Sequence, residues 1–290
     1  MKNARLGRFV AAGAGAVLAV AAVALVVRDE PAGVPAVAAP STPAVEPTTT
    51  APVTHSSDEA AARHGWGEPV ASQSDEYNGT SVDLDKWGLF GVDAGESAGC
   101  SAGYHAHGRR CASQTTVAGG YLSVTGTADG KTGGLWGRMT PFRYGRVEVR
   151  ERAVALTANG GKAYHAVPLI WPEIEEDWED AEIDFAERDV GAKSVSLYVH
   201  HEGTQNCSSA VDSTKFHNYA VDWQPNTITW YVDGKLICTV KATIDSFSRS
   251  NGGAQMDMFP ADGTLMRPAR QDIDWVRMYA TAATEYQPQA

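Results

Sequence analysis

The chain has 290 residues, with 24 Lys plus Arg against 35 Asp plus Glu and a formal net charge of −11. With a pI near 5.2, it lacks the clustered cations that nucleic acids and anionic membrane surfaces demand of a partner. Its 29 glycines and 9% aromatics fit a folded, turn-rich protein rather than a disordered one, and four cysteines suffice for two bridges in an exported chain.

Lys2, Arg5 and Arg8 precede an uncharged run from Phe9 to Val27, in which ten of 19 residues are Ala or Gly. The run is longer than a usual signal core and less hydrophobic than a usual membrane span. Residues 1–30 are therefore read as a signal peptide or an N-terminal membrane anchor. Either places the remainder outside the cytoplasmic membrane, secreted or tethered. Residues 31–65 are read as a linker, because six prolines between Pro31 and Pro52 sit among Ala, Val, Ser and Thr. A single folded domain is expected over 66–281, with a short tail at 282–290.

Within that domain, alternation dominates. Along Arg146 to Arg152, polarity switches at every step as far as Arg150, as in a half-buried strand. Ser194–Val199 does the same. Asp233-Gly234 between two apolar runs predicts a hairpin, and Gly119-Gly120 a turn before Tyr121–Val124. Ile273–Tyr279 reads as the last strand. Many short strands with glycine-rich turns predict an all-β sandwich or jelly roll of two packed antiparallel sheets. Local pairing of Cys100 with Cys111 and of Cys207 with Cys238 is expected. Zinc held by Cys100, Cys111, His105 and His107 is the alternative for the first pair.

The segment Trp171–Glu187 holds nine acids. Most of such a run is a solvated face, but its end differs. Glu182 and Asp184 alternate with Ile183 and Phe185, so both acids share one face of a strand. Regular pleating would turn Glu187 to the other face; a one-residue bulge between 184 and 187 would align all three. Three carboxylates on one face repel, and make chemical sense if one is kept protonated by its neighbours.

Glu182-Ile183-Asp184-Phe185-Ala186-Glu187 resembles the E-I-D-x-x-E signature of family 16 glycoside hydrolases, the laminarinase and lichenase relatives. Asn78–Ser81 with Asp85-Lys86-Trp87, Tyr144–Arg150, Phe216–Trp223, Trp230–Gly234 and Asp274–Tyr279 resemble that family's other strands, in the expected order. The resemblance implies a concanavalin-like jelly roll and an endo-β-glucanase acting on β-1,3 or mixed β-1,3/1,4 glucan. It implies Glu182 as nucleophile, Glu187 as general acid and then base, Asp184 as proton-holding assistant, and retention of configuration. No catalytic cofactor is implied. A structural calcium far from the cleft is, with Asp274 a candidate ligand.

Substrate contacts are expected from Trp136, Trp171 and Trp178, whose faces suit a pyranose, and from His165 and His200 on strands beside the catalytic one. Ala181 stands where the family often has glycine, and His165 lies near where many relatives carry tryptophan. The expected partner is a neutral β-glucan met by a monomer, since an acidic cleft rim would repel sulfated or uronic polymers. A galactan-type hydrolase or transglycosylase of the same family, or a non-catalytic carbohydrate-binding module, remains the alternative.

Overall fold

The computed structural model describes residues 55–92, 99–174, 178–257 and 260–288. The expected signal or anchor, most of the linker and the last two residues of the tail lie outside the described residues. Among the described residues no helix is long and apolar enough to cross a membrane.

Among the described residues, fifteen strands build the two main sheets. In chain order the first seven are β1 (Thr115–Ala118), β2 (Tyr121–Gly126), β3 (Phe142–Arg143), β4 (Gly145–Ala155), β5 (His165–Pro172), β6 (Glu182–Asp184) and β7 (Arg188–Asp189). Then follow β8 (Ser194–His200), β9 (Thr204–Ala210), β10 (His217–Gln224), β11 (Thr227–Val232), β12 (Lys235–Lys241), β13 (Ser248–Asp257), β14 (Ala269–Tyr279) and β15 (Glu285–Tyr286). One sheet runs β12-β11-β10-β4-β14-β2-β1; the other runs β9-β8-β6-β5-β13-β3-β15, with β7 also on β5. The two sheets pack face to face as a jelly-roll sandwich.

The turns follow their residues. Asp233 and Gly234 both have positive φ, at 47° and 66°, as a two-residue hairpin turn between β11 and β12 requires. Between the sheets, Val147, Val149, Ile170, Ile183, Phe185, Leu197, Val221, Trp223 and Trp230 form the core. Their inward spacing at every second residue is the alternation seen in the sequence.

Both expected disulfides form. Cys100 pairs with Cys111 across the short hairpin Cys100–Ala102/Arg109–Cys111. Cys207 lies on β9 and Cys238 on β12, the edge strands of opposite sheets, so their bridge staples the sandwich along one side. With both cysteines of the first pair in a disulfide, the zinc alternative is ruled out.

The described fold differs from the sequence boundary at its start. Residues 55–65 do not behave as linker: a short helix, α1 (Ala60–His64), packs on the outer face of the β4 sheet. Its first amides donate to the buried carboxylate of Glu148, Ala60 N at 2.6 Å and Ala61 N at 3.1 Å. Arg277 donates to Glu59 at 3.0 Å. Ala60, Ala61 and Trp66 pack with Ala220, Tyr231 and Tyr279. A five-residue helix is unstable alone; here the sheet satisfies two of its free N–H groups and covers its apolar side.

Candidate active site

The site begins with a register change. On β5, Leu169 faces Asp184 and Ala166 faces Arg188, so four steps of one chain oppose three of the other. On the far side, Ile183 faces Val199 and Glu187 bridges Ser196, again four steps against three. One extra residue is therefore accommodated between Asp184 and Glu187, the bulge that the spacing of the acids demands. Phe185 and Ala186 are both fully buried, and the Phe185 amide donates to the Pro168 carbonyl at 2.9 Å. The helix α2 (Trp178–Ala181) leads directly into β6, with Ala181 buried in the core.

Two side chains hold this segment from behind. Trp230 on β11 reaches across the core and donates Nε1–H to the Asp184 carbonyl at 2.9 Å. Arg188 donates to the Ala186 carbonyl at 2.8 Å and pairs with Glu151 on β4 at 2.7 Å, both side chains being buried. The sequence carries one sign of this pair: Glu151 falls on the inward face of β4 with Val147, Val149 and Ala153. A charge on an apolar face needs a buried partner.

The carboxylates of Glu182, Asp184 and Glu187 line one cleft of about 600 Å³ on the outer face of the β5 sheet. His165, Val167, Leu169 and Trp171, alternate residues of β5, form part of its wall. Of the expected substrate contacts, Trp136, His165, Trp171 and His200 line it. Trp178 lies in α2, and its side chain is outside the described residues. The sequence reading missed Phe90, Tyr104, His105, Arg110, Tyr198, Gln255 and Asp257, which also line the cleft. Tyr104, His105 and Arg110 come from the loop closed by Cys100–Cys111. Arg110 pairs with Asp257 at 2.7 Å and lies over the Phe90 ring.

Electrostatics separate the acids. Asp184 is fully buried, and burial, with Glu187 nearby, pushes its pKa well above the ordinary carboxylate range. Glu182, hydrogen-bonded to Asp184, is pushed up to about 9 by burial and by the charge of Asp184, with His200 acting in the opposite direction. His200 Nε2 lies 3.6 Å from Asp184 and 3.9 Å from Glu182. The pair titrates as a unit and holds a proton at neutral pH. His165 is not an open sugar contact. Its Nε2 meets Glu187 Oε1 at 2.6 Å and its Nδ1 meets Asp189 Oδ1 at 2.9 Å.

Asp274 fits no calcium site. Its carboxylate pairs with the Arg150 guanidinium at 2.8 Å, where a cation already neutralises it. Among the described residues, the group of His, Cys, Asp and Glu side chains near enough to share an ion is Glu182, Asp184 and His200, at the cleft rather than far from it. A calcium ion needs six or more oxygens.

The model of glycosyl hydrolases family 16 matches residues 106–277, more than half of the chain. The chain belongs to family 16. A beta-glucanase of Paenibacillus polymyxa is 28% identical over 166 residues, 54% of this chain and 68% of that protein. A beta-glucanase of Bacillus subtilis is 28% identical over 149 residues, 47% and 58% respectively. The catalytic domain of an endo-1,3-beta-glucanase (laminarinase) from Thermotoga petrophila superposes with a TM-score of 0.57 at 18% identity, covering 74% of this chain and 98% of that one. The protein is thus a glycoside hydrolase with the family 16 jelly roll, and family 16 chemistry needs no catalytic cofactor.

Proposed function

We propose that the protein is an exported, retaining endo-β-glucanase. The observation that carries this reading is the bulge that brings Glu182, Asp184 and Glu187 into one cleft. Glu182 attacks the anomeric carbon as its proton is left with Asp184. Glu187 protonates the departing oxygen, then takes a proton from the water that opens the glycosyl-enzyme. Burial favours this division, because a carboxyl in an apolar wall keeps its proton while its neighbour ionises.

The polymer we assign is a neutral β-1,3 or mixed β-1,3/1,4 glucan. Trp136 and Trp171 offer faces for sugar rings. Arg110 brings a cation to the cleft, but Asp257 offsets it, so the balance with Glu182, Asp184 and Glu187 stays acidic. A sulfated chain would meet repulsion at each charged sugar. The beta-glucanase relatives support the same class. Two disulfides support an oxidising, extracellular setting. The N-terminal segment then serves as signal or tether, residues 31–54 as spacer, and the domain acts as a monomer.

Reducing-sugar release from laminarin, lichenan, agarose and κ-carrageenan tests the substrate. Cleavage of a sulfated galactan above laminarin and lichenan would overturn it. Glu182→Ala should abolish hydrolysis, and azide should restore cleavage of an activated aryl glycoside with the opposite anomer formed. Glu187→Ala should spare that activated substrate, since its leaving group needs little protonation. Full activity of either variant on polysaccharide would remove the assignment.

A further inference from the structure

His165 sits between two carboxylates, one inside the cleft and one outside it. Glu187 is largely covered, whereas the Asp189 side chain is 66% exposed. Burial alone would lower the imidazole pKa, but the bonds to Glu187 and Asp189 outweigh it and leave it raised. The pairing of His165 with Asp189 across β5 and β7 fixes the ring by backbone register. On its other side His165 faces Asp257 of β13, which Arg110 neutralises. Tyr104 and His105, from the disulfide loop, line the same cleft.

The geometry points to His165 as a positioning residue for Glu187: an imidazolium that donates Nδ1–H to Asp189 and Nε2–H to Glu187 Oε1, leaving Oε2 to carry the catalytic proton. This rests on the proposed role of Glu187. Before the reaction Oε1 is the carbonyl oxygen of a neutral acid. As Oε2 gives its proton to the glycosidic oxygen, the C1–O bond breaks, the C1–Glu182 bond forms and Glu187 becomes a carboxylate. The Nε2–H bond to Oε1, charged only on its donor side before the reaction, then becomes an imidazolium–carboxylate pair, and so is stronger in the transition state than before it. In the second step water attacks C1, the bond to Glu182 breaks and the water proton returns to Oε2. His165 keeps its protons throughout. Loss of either one at alkaline pH turns a lone pair toward a carboxylate and undoes one of the two contacts.

The test compares parent, His165→Gln and Asp189→Asn on the polysaccharide that the parent degrades and on a 2,4-dinitrophenyl glycoside, across pH. His165→Gln should lower kcat on polysaccharide about 10- to 100-fold, the worth of a hydrogen bond to a charged group, with KM little changed. The aryl glycoside, which needs no protonation, should be nearly unaffected. Asp189→Asn, an exposed change, should move the alkaline limb of kcat to lower pH, because the imidazolium loses its outer acceptor. Equal losses on both substrates in His165→Gln, or an alkaline limb unmoved in Asp189→Asn, would overturn the inference. Glu187→Ala, run beside them, separates the two ideas. If it does not spare the aryl glycoside, the acid–base reading itself fails; if it does and the other variants behave as parent, His165 alone is misassigned.

Discussion

At the level of single residues, Asp184 is the most constrained group in the cleft, buried and bonded to Glu182. A carboxyl whose pKa is higher in the fold than in the open chain favours the fold while it is protonated. Its contribution is complete below the open-chain value of about 4 and is lost as pH rises toward the folded value, about 9 for Glu182. Stability from this pair should therefore fall between those limits. Asp184→Asn removes one of the two ionisations, so its Tm should decline less than the parent's from pH 5 to 9, while hydrolysis drops roughly 10- to 100-fold. An identical Tm profile would show that the pair is not strained at neutral pH. The acids themselves were legible, since acid–apolar alternation places Glu182 and Asp184 on one face, and the needed bulge follows from where Glu187 stands. His165 was not: its spacing marks a cleft-facing position, but nothing local tells that Asp189 and Glu187 close on both ring nitrogens.

At the level of elements, the sequence signal was strongest where a strand has one wet and one dry side, as in β4 and β8. It was weakest where an element exists only because another covers it. The segment around α1 looks like spacer by composition, yet Ser56 N donates to Glu59 Oε1 at 2.8 Å, half of a capping box that Ser-Ser-Asp-Glu could have announced. Trp66 is 7% exposed and stands edge-on to Tyr231 and Tyr279. Trp66→Ala should cost about 3 kcal/mol, the low end for a buried tryptophan, read by urea denaturation. A cost near zero would mean that this clasp is dispensable. The cleft wall from Tyr104 to Arg110 was illegible for another reason: two left-handed residues, His105 and Ala106, set its course, and only the tertiary fold brings it over β5.

Across the whole molecule, the Cys207–Cys238 bridge joins edge strands of opposite sheets over a separation of 31 residues. On the chain-entropy account a loop of that length is worth about 3–4 kcal/mol. Cys207→Ser/Cys238→Ser should lose that much in denaturant, while the chemistry of the cleft, built on the other strands, persists in the folded fraction. A loss below about 1 kcal/mol would mean that the sandwich edge is held by packing alone. The clasp has a consequence for how the enzyme meets its substrate. His55 packs against Tyr279 on the outer face of the β4 sheet, whereas the cleft opens on the outer face of the β5 sheet. The first described residue thus stands on the face opposite the catalytic cleft. For the tether proposed at that end, the point of attachment on the domain and the face that meets an insoluble glucan lie on opposite sides of the sandwich.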